Sequence, residues 1–123
     1  MNFNTVLVDE SNFFRIMMAM SEGVQLSNEA YAAKKSGRYQ EAIDKYERSL
    51  EVKLKAYGEN SVHVCINLSG LADAYLKLGE IDKAEAFASR YMKIAEAIKN
   101  SEQLRIAKEI QVDIVAAKKA LKK

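Results

Sequence analysis

The residues able to do covalent or acid–base chemistry are few in this chain of 123. There is one histidine and one cysteine, His63 and Cys65. A cysteine protease or transferase pairs a thiolate with an imidazole base within hydrogen-bond reach. These two stand two positions apart, and on a helix such neighbours point away from each other. A single histidine also excludes the common sites in which two histidines hold a metal. No Gly-rich phosphate loop and no His-Glu zinc motif occurs. Cys65 reads as a small buried residue near the start of an apolar helix, and His63 as a solvated loop residue. The carboxylates Asp44, Glu47, Glu51, Asp73, Glu80 and Glu85 alternate with lysines and read as solvated faces. Asp44 is expected to pair with Arg48, and Glu47 and Glu51 to be opposed by Lys53 and Lys55. No enzyme activity, cofactor or metal is expected.

Composition supports a binding or structural role instead. The charged fraction of 29% and apolar fraction of 49% fit one packed domain. A net charge of +2 offers no electrostatic case for nucleic acid. The longest wholly apolar run, Ile16 to Met20, is too short for a membrane helix, which needs roughly 20 such residues. No basic residue precedes the first apolar ones, so no secretory signal is expected. A lone cysteine fits a reducing, cytoplasmic setting.

The elements that would position any site are helices. Proline is absent and there are only five glycines, so nothing interrupts long segments. Apolar residues recur at helical spacing: Leu26, Ala30, Ala33; then Ala42, Ile43, Tyr46, Leu50, Leu54; then Val64, Leu68, Leu71, Ala72, Tyr75; then Ala84, Phe87, Ala88, Tyr91, Met92, Ala95. Gly37 and Gly79 close two of these stripes. Asn60 or Ser61 can cap the helix that follows "YGENSV", and Asn100 or Ser101 the one that follows "KNSEQL". The pattern predicts helices at about 11–36, 39–56, 61–78, 81–98 and 101–121, the first with a potential break at Gly23. Short connections predict antiparallel neighbours. The first eight residues, "MNFNTVLV", lack helical signals and are read either as a frayed end or as a segment docked in extended form.

"SGRYQEAIDKYERSL" and "LGEIDKAEAFASRYM" repeat one theme, with glycines at 37 and 79, an interval of 42. Leu26 and Ala30 fall on Leu68 and Ala72, and Tyr39 and Ala42 on Ile81 and Ala84. Tyr46 falls on Ala88 and Ser49 on Tyr91, so the large and small residues exchange places. Each repeat thereby keeps one aromatic and one small residue on a shared face, as close helix packing requires. A helical hairpin repeated at this period signals an array.

These residues resemble the tetratricopeptide repeat. "AYAAKKSG" with "RYQEAIDKYERSL", and "ADAYLKLG" with "EIDKAEAFASRYM", carry the resemblance over roughly residues 23 to 98. The 42-residue interval, against the usual 34 or so, resembles the longer repeats of kinesin light chains and of fungal proteins with MYND-type zinc fingers. The first repeat departs from the pattern at Glu29 and Ala33, and Val62 stands where the loop proline is usual. The resemblance implies an all-α, right-handed superhelical array with terminal capping helices in a single domain of residues 1–123. Its parts would be an N-terminal segment and capping helix (1–22), repeat 1 (23–60), repeat 2 (61–98) and a C-terminal capping helix (101–123). In that last helix Ile110, Ile114 and Ala117 continue the register.

The resemblance also implies where a partner would lie, along the first helix of each pair. By register that face comprises Val24, Ser27, Tyr31, Lys34 and Lys35; then Ile66, Ser69, Asp73, Leu76 and Lys77; then Lys108, Gln111, Val115, Lys118 and Lys119. Gly70 is expected to leave the groove locally open. Tyr31 and Gly70 stand where chaperone-binding relatives carry asparagines, which argues against that ligand. The expected partner is a protein or peptide, partly acidic and partly apolar, and no nucleic acid or membrane. A second surface is "FFRIMMAM". Its Phe13, Phe14, Met17 and Met18 would either cap the first repeat or make a homo-oligomer.

Overall fold

The computed structural model describes residues 10–122. Five helices follow one another: α1 Glu10–Lys35, α2 Tyr39–Tyr57, α3 Val62–Lys77, α4 Ile81–Ala97 and α5 Ser101–Leu121. They match the expected helices to within a residue or two at each end. Each helix packs on the next, and α1 also meets α3, as α3 meets α5. This is an all-α array of antiparallel hairpins in which α1, α3 and α5 run side by side.

The repeat is visible in the backbone itself. Gly37 has φ +79° and Gly79 φ +81°. In each turn the amide three residues past the helix end closes back: Arg38 N–H on the Ala33 carbonyl at 2.9 Å, Glu80 N–H on the Tyr75 carbonyl at 2.9 Å. Only glycine adopts that left-handed conformation without a Cβ clash. The α4–α5 turn uses the same conformation with a lysine, Lys99, at φ 53°. Two side chains cap helix starts: Ser61 accepts from Val64 N–H at 3.1 Å, and Asn100 accepts from Gln103 N–H at 3.0 Å. Of each candidate pair of caps, the chain uses Ser61 and Asn100.

The core runs between the helix layers, built from Ile43, Tyr46, Leu68, Leu71, Tyr91 and the alanines around them. The exchanged pairs behave as their spacing requires: Tyr46, Ser49, Ala88 and Tyr91 are all buried. Gly70, expected to open the groove, does something else. A Cβ there would lie 2.3 Å from Tyr46 Cζ, so this glycine lets α3 approach the Tyr46 ring.

The ends of the array bear on several of the expectations. Helix α1 does not break at Gly23. That residue is missing a side chain because the Lys53 stem crosses it, 3.0 Å from where a Cβ would stand. Its carbonyl also accepts the Ser49 hydroxyl at 2.6 Å. Residues 10–22 therefore continue straight from the first repeat rather than folding back as a separate cap. Phe13, Phe14, Ile16, Met17 and Met18 are exposed. At the other end, α5 buries Ala107 and Ile114, and Ile110 and Ala117 are half-buried. But Glu109, Val112 and Asp113, the counterparts of the buried Asn67, Gly70 and Leu71, are exposed. So α5 meets its neighbours through a narrower face than α3 does. Residues 1–8, read as either frayed or docked in extended form, lie outside the described residues.

Candidate protein-interaction surfaces

The titratable groups in the interior come first, because they would carry any chemistry. Cys65 is fully buried, and burial pushes its thiol up to about 11. It stays protonated and unreactive at neutral pH. His63 is not a solvated loop residue. It sits in the first turn of α3, its ring stacked 3.7 Å from that of Tyr57. Burial, then the charge of Lys53, holds its pKa below the ordinary value. Among the described residues no group of three or more His, Cys, Asp or Glu is placed to hold a metal ion.

Lys53 is the largest departure from the sequence reading. Expected on the surface opposite Glu47 and Glu51, it is 2% exposed. Its Nζ donates to Asn67 Oδ1 at 2.8 Å and to Ser27 Oγ at 3.1 Å, and it pairs with no carboxylate among the described residues. Burial alone pushes its pKa down to about 8. Asn67 in turn donates to the Tyr46 carbonyl at 3.0 Å, and Ser27 to the Val24 carbonyl at 3.0 Å. This network ties α1, α2 and α3 together, and every buried side-chain nitrogen or oxygen among the described residues has a partner. Glu47 accepts instead from the Tyr75 hydroxyl at 3.1 Å. Asp44 accepts from Gln40 at 3.2 Å rather than pairing with Arg48. Glu51 does pair with Lys55, at 3.9 Å.

The face formed by α1 and α3 gathers most of the residues assigned to a groove. Tyr31 and Ile66 are exposed, 53% and 44%, as are Val24 and Lys77. Lys34 on α1 bridges to Asp73 on α3 at 3.1 Å. The Lys34 and Lys35 ammonium groups lie 5.4 and 5.8 Å from the Tyr31 ring centre, within range of a cation–π attraction. Ser69 turns its hydroxyl back to the Ile66 carbonyl, and Leu76 packs partly against the core. Ser27 does not belong to this face: it is buried beneath it, holding Lys53. On α5, Gln111 and Val115 line a small cleft with Glu85, Ala88 and Ser89 of α4. Lys118 is ion-paired with Glu85. Those α5 residues therefore run along α4. Val112, 67% exposed, stands on the open side of α5, a feature its counterpart Gly70 gave no reason to expect.

Paired antiparallel helices closed by left-handed glycine turns, with exposed side chains along their first helices, define a helical-repeat binding protein. The sequence model of the tetratricopeptide repeat family matches residues 24–97, more than half of the chain, and the chain belongs to that family. The match begins in the middle of α1 and ends with α4, so it covers both hairpins. No curated protein matches the chain, and no solved structure does. Repeats of this family generally mediate protein–protein interactions. Among the described residues no helix is long and apolar enough to cross a membrane.

Proposed function

We propose that this array is a non-catalytic adapter that holds a peptide or helix of a partner protein along the adjoining faces of α1 and α3. We also place its repeats with the long, 42-residue variety found in kinesin light chains, and its setting in the cytoplasm. The interval between Gly37 and Gly79 supports the first assignment, and the single buried, unpaired thiol fits the second.

The observation that carries the binding reading is the exposure of Val24, Tyr31 and Ile66 along the adjoining faces of α1 and α3. The same face carries Lys35 and Lys77, which have no acidic partner among the described residues, beside the Lys34–Asp73 bridge. Apolar contact area with a few fixed charges is the composition of a recognition groove. The complementary ligand is a segment with two or three apolar side chains and one or two carboxylates, the latter near the ends of α1 and α3. Lys118 and Gln111, alongside α4, extend the surface only if the ligand crosses the α4–α5 cleft.

Selection from a displayed peptide library gives a ligand to test. Fluorescence anisotropy then measures it against the wild type, Ile66→Asp, Tyr31→Ala and the Lys35→Glu/Lys77→Glu pair. Because these side chains are exposed, helicity should be unchanged, and each variant should weaken binding by roughly tenfold or more. Selected ligands that bind all three variants with wild-type affinity refute the assignment of the face.

A further inference from the structure

The first thirteen residues of α1 are amphipathic in a way the array does not use. Phe13, Met17, Met20 and Val24 recur at intervals of four, three and four, which places them along one side of the helix. Phe14 and Ile16 flank that side, while Met18 lies farther round the helix, toward Glu22. The only charged residues from Asn12 to Val24 are Arg15 and Glu22. They are seven apart, share a side, and lie across the helix from the apolar stripe. Phe13, Phe14, Ile16, Met17 and Met18 are 59, 66, 42, 53 and 60% exposed. At roughly 200 Å² for a whole side chain of this size, the four other than Met18 present about 440 Å². That is within the range of the largest apolar patch a monomer ordinarily shows, about 300–600 Å².

The other end of the stripe is concave. Met20, Ser21, Val24 and Gln25 open, together with Tyr57 from the end of α2, onto a mostly apolar cleft of about 650 Å³. Rings stand at one end of the stripe and an empty apolar cleft at the other. A two-fold axis between residues 18 and 19 brings the two together. It sets Met17 against Met20 and Phe13 against Val24, with the rings of one copy at the cleft beside Tyr57 of the other.

We propose that the chain forms a homodimer through antiparallel pairing of the α1 N-terminal segments, the Phe13 and Phe14 rings of each copy entering the Met20–Val24–Tyr57 cleft of the other. Both patches together supply about 900 Å² before the cleft walls are counted. With those walls the interface approaches the lower end of the roughly 1,200–2,000 Å² that specific complexes bury. An isologous contact of this kind uses the same surface twice and closes, so it stops at two copies. Val24 belongs to both surfaces, so a dimer leaves Tyr31, Ile66 and the lysines to the groove on α1 and α3; the oligomeric state tests the pairing whatever that groove holds.

Sedimentation velocity on the full chain is the test. The wild type should show a concentration-dependent dimer of the 13.8 kDa chain. Met17→Asp should weaken dimerisation at least a hundredfold, since the carboxylate would be buried without a partner, with helical circular dichroism unchanged. Lys77→Glu, outside the interface, should dimerise like the wild type. Orientation is read by oxidising a mixture of Phe13→Cys and Val24→Cys chains. Antiparallel pairing joins them to each other but leaves Phe13→Cys alone unlinked, because its two copies lie about 16 Å apart along the helices at 1.5 Å per residue. Cys65 is fully buried and does not interfere. A wild type that stays monomeric at all concentrations overturns the proposal, whether or not the segment then binds vesicles or another protein. So does a dimer that survives Met17→Asp, or Phe13→Cys chains that link to themselves.

Discussion

Replacing Lys53 by methionine isolates the energetics of the buried ammonium. Methionine keeps the volume of the stem and removes the charge. Lys53 is 2% exposed and its pKa falls from 10.5 to about 8 because burial disfavours the charged form. At about 1.4 kcal/mol per tenfold change in proton affinity, keeping that proton in the folded state costs about 3 kcal/mol at neutral pH. Since the folded pKa lies below the unfolded one, the cost is absent above about pH 10.5, grows as pH falls toward 8, and is complete below that. Methionine removes it but leaves Asn67 Oδ1 without its donor, which costs about 1–3 kcal/mol. The net change at pH 7 is therefore small and of either sign. The pH dependence is not ambiguous. Between pH 7 and pH 9.5 the wild type should gain about 2 kcal/mol relative to Lys53→Met. The Asn67 cost is the same at both values and cancels. Tyr46, pushed up to about 12, and Cys65, up to about 11, both by burial, lower stability as pH rises in both proteins, and cancel too. Urea unfolding followed by far-ultraviolet circular dichroism gives the four free energies. Parallel pH profiles for the two chains would mean that Lys53 is charged and hydrated in the folded protein, and the account of the α1–α2–α3 junction given above would be wrong.

Two further substitutions test the packing. Gly70→Ala should destabilise by about 1–3 kcal/mol despite alanine's better helix propensity, because the new Cβ would lie 2.3 Å from the Tyr46 ring. Combining it with Tyr46→Leu should recover part of that loss relative to Tyr46→Leu alone, and strictly additive effects would argue against the contact. Lys99→Gly should raise stability by about 0.5–1 kcal/mol, seen as a higher thermal midpoint, since Lys99 holds φ at 53° where glycine is unstrained. Gly79→Ala, at φ +81°, should move the midpoint the other way.

Much of this protein is determined locally, and those parts can be read from the chain. Apolar residues three and four apart commit a segment to a helix whatever it later touches. Gly37 and Gly79 stop helices because the left-handed turn needs no neighbour, and Ser61 and Asn100 start them by bonding their own backbones. The 42-residue interval is a sum of such local lengths. Helix boundaries, the order of hairpins and membership of the repeat family follow from these alone.

Burial is decided by neighbours, and there tertiary structure had the final say. Ser27 and Tyr31 are one turn apart on α1, yet one is buried and the other open, because the Lys53 stem crosses Gly23 and ends on Ser27. Nothing within α2 marks Lys53 as interior. Asn67 and Ser27, from two different helices, supply the acceptors that let its ammonium stay there. Gly70 reads as a gap until the Tyr46 ring is seen against it. The stripe from Phe13 to Met18 shows the same limit from the other side. Its composition asks for a partner surface, but the helices that would cover it lie elsewhere in the array. A sequence states how strongly a side chain would leave water; the arrangement of the other helices determines whether anything is there to receive it.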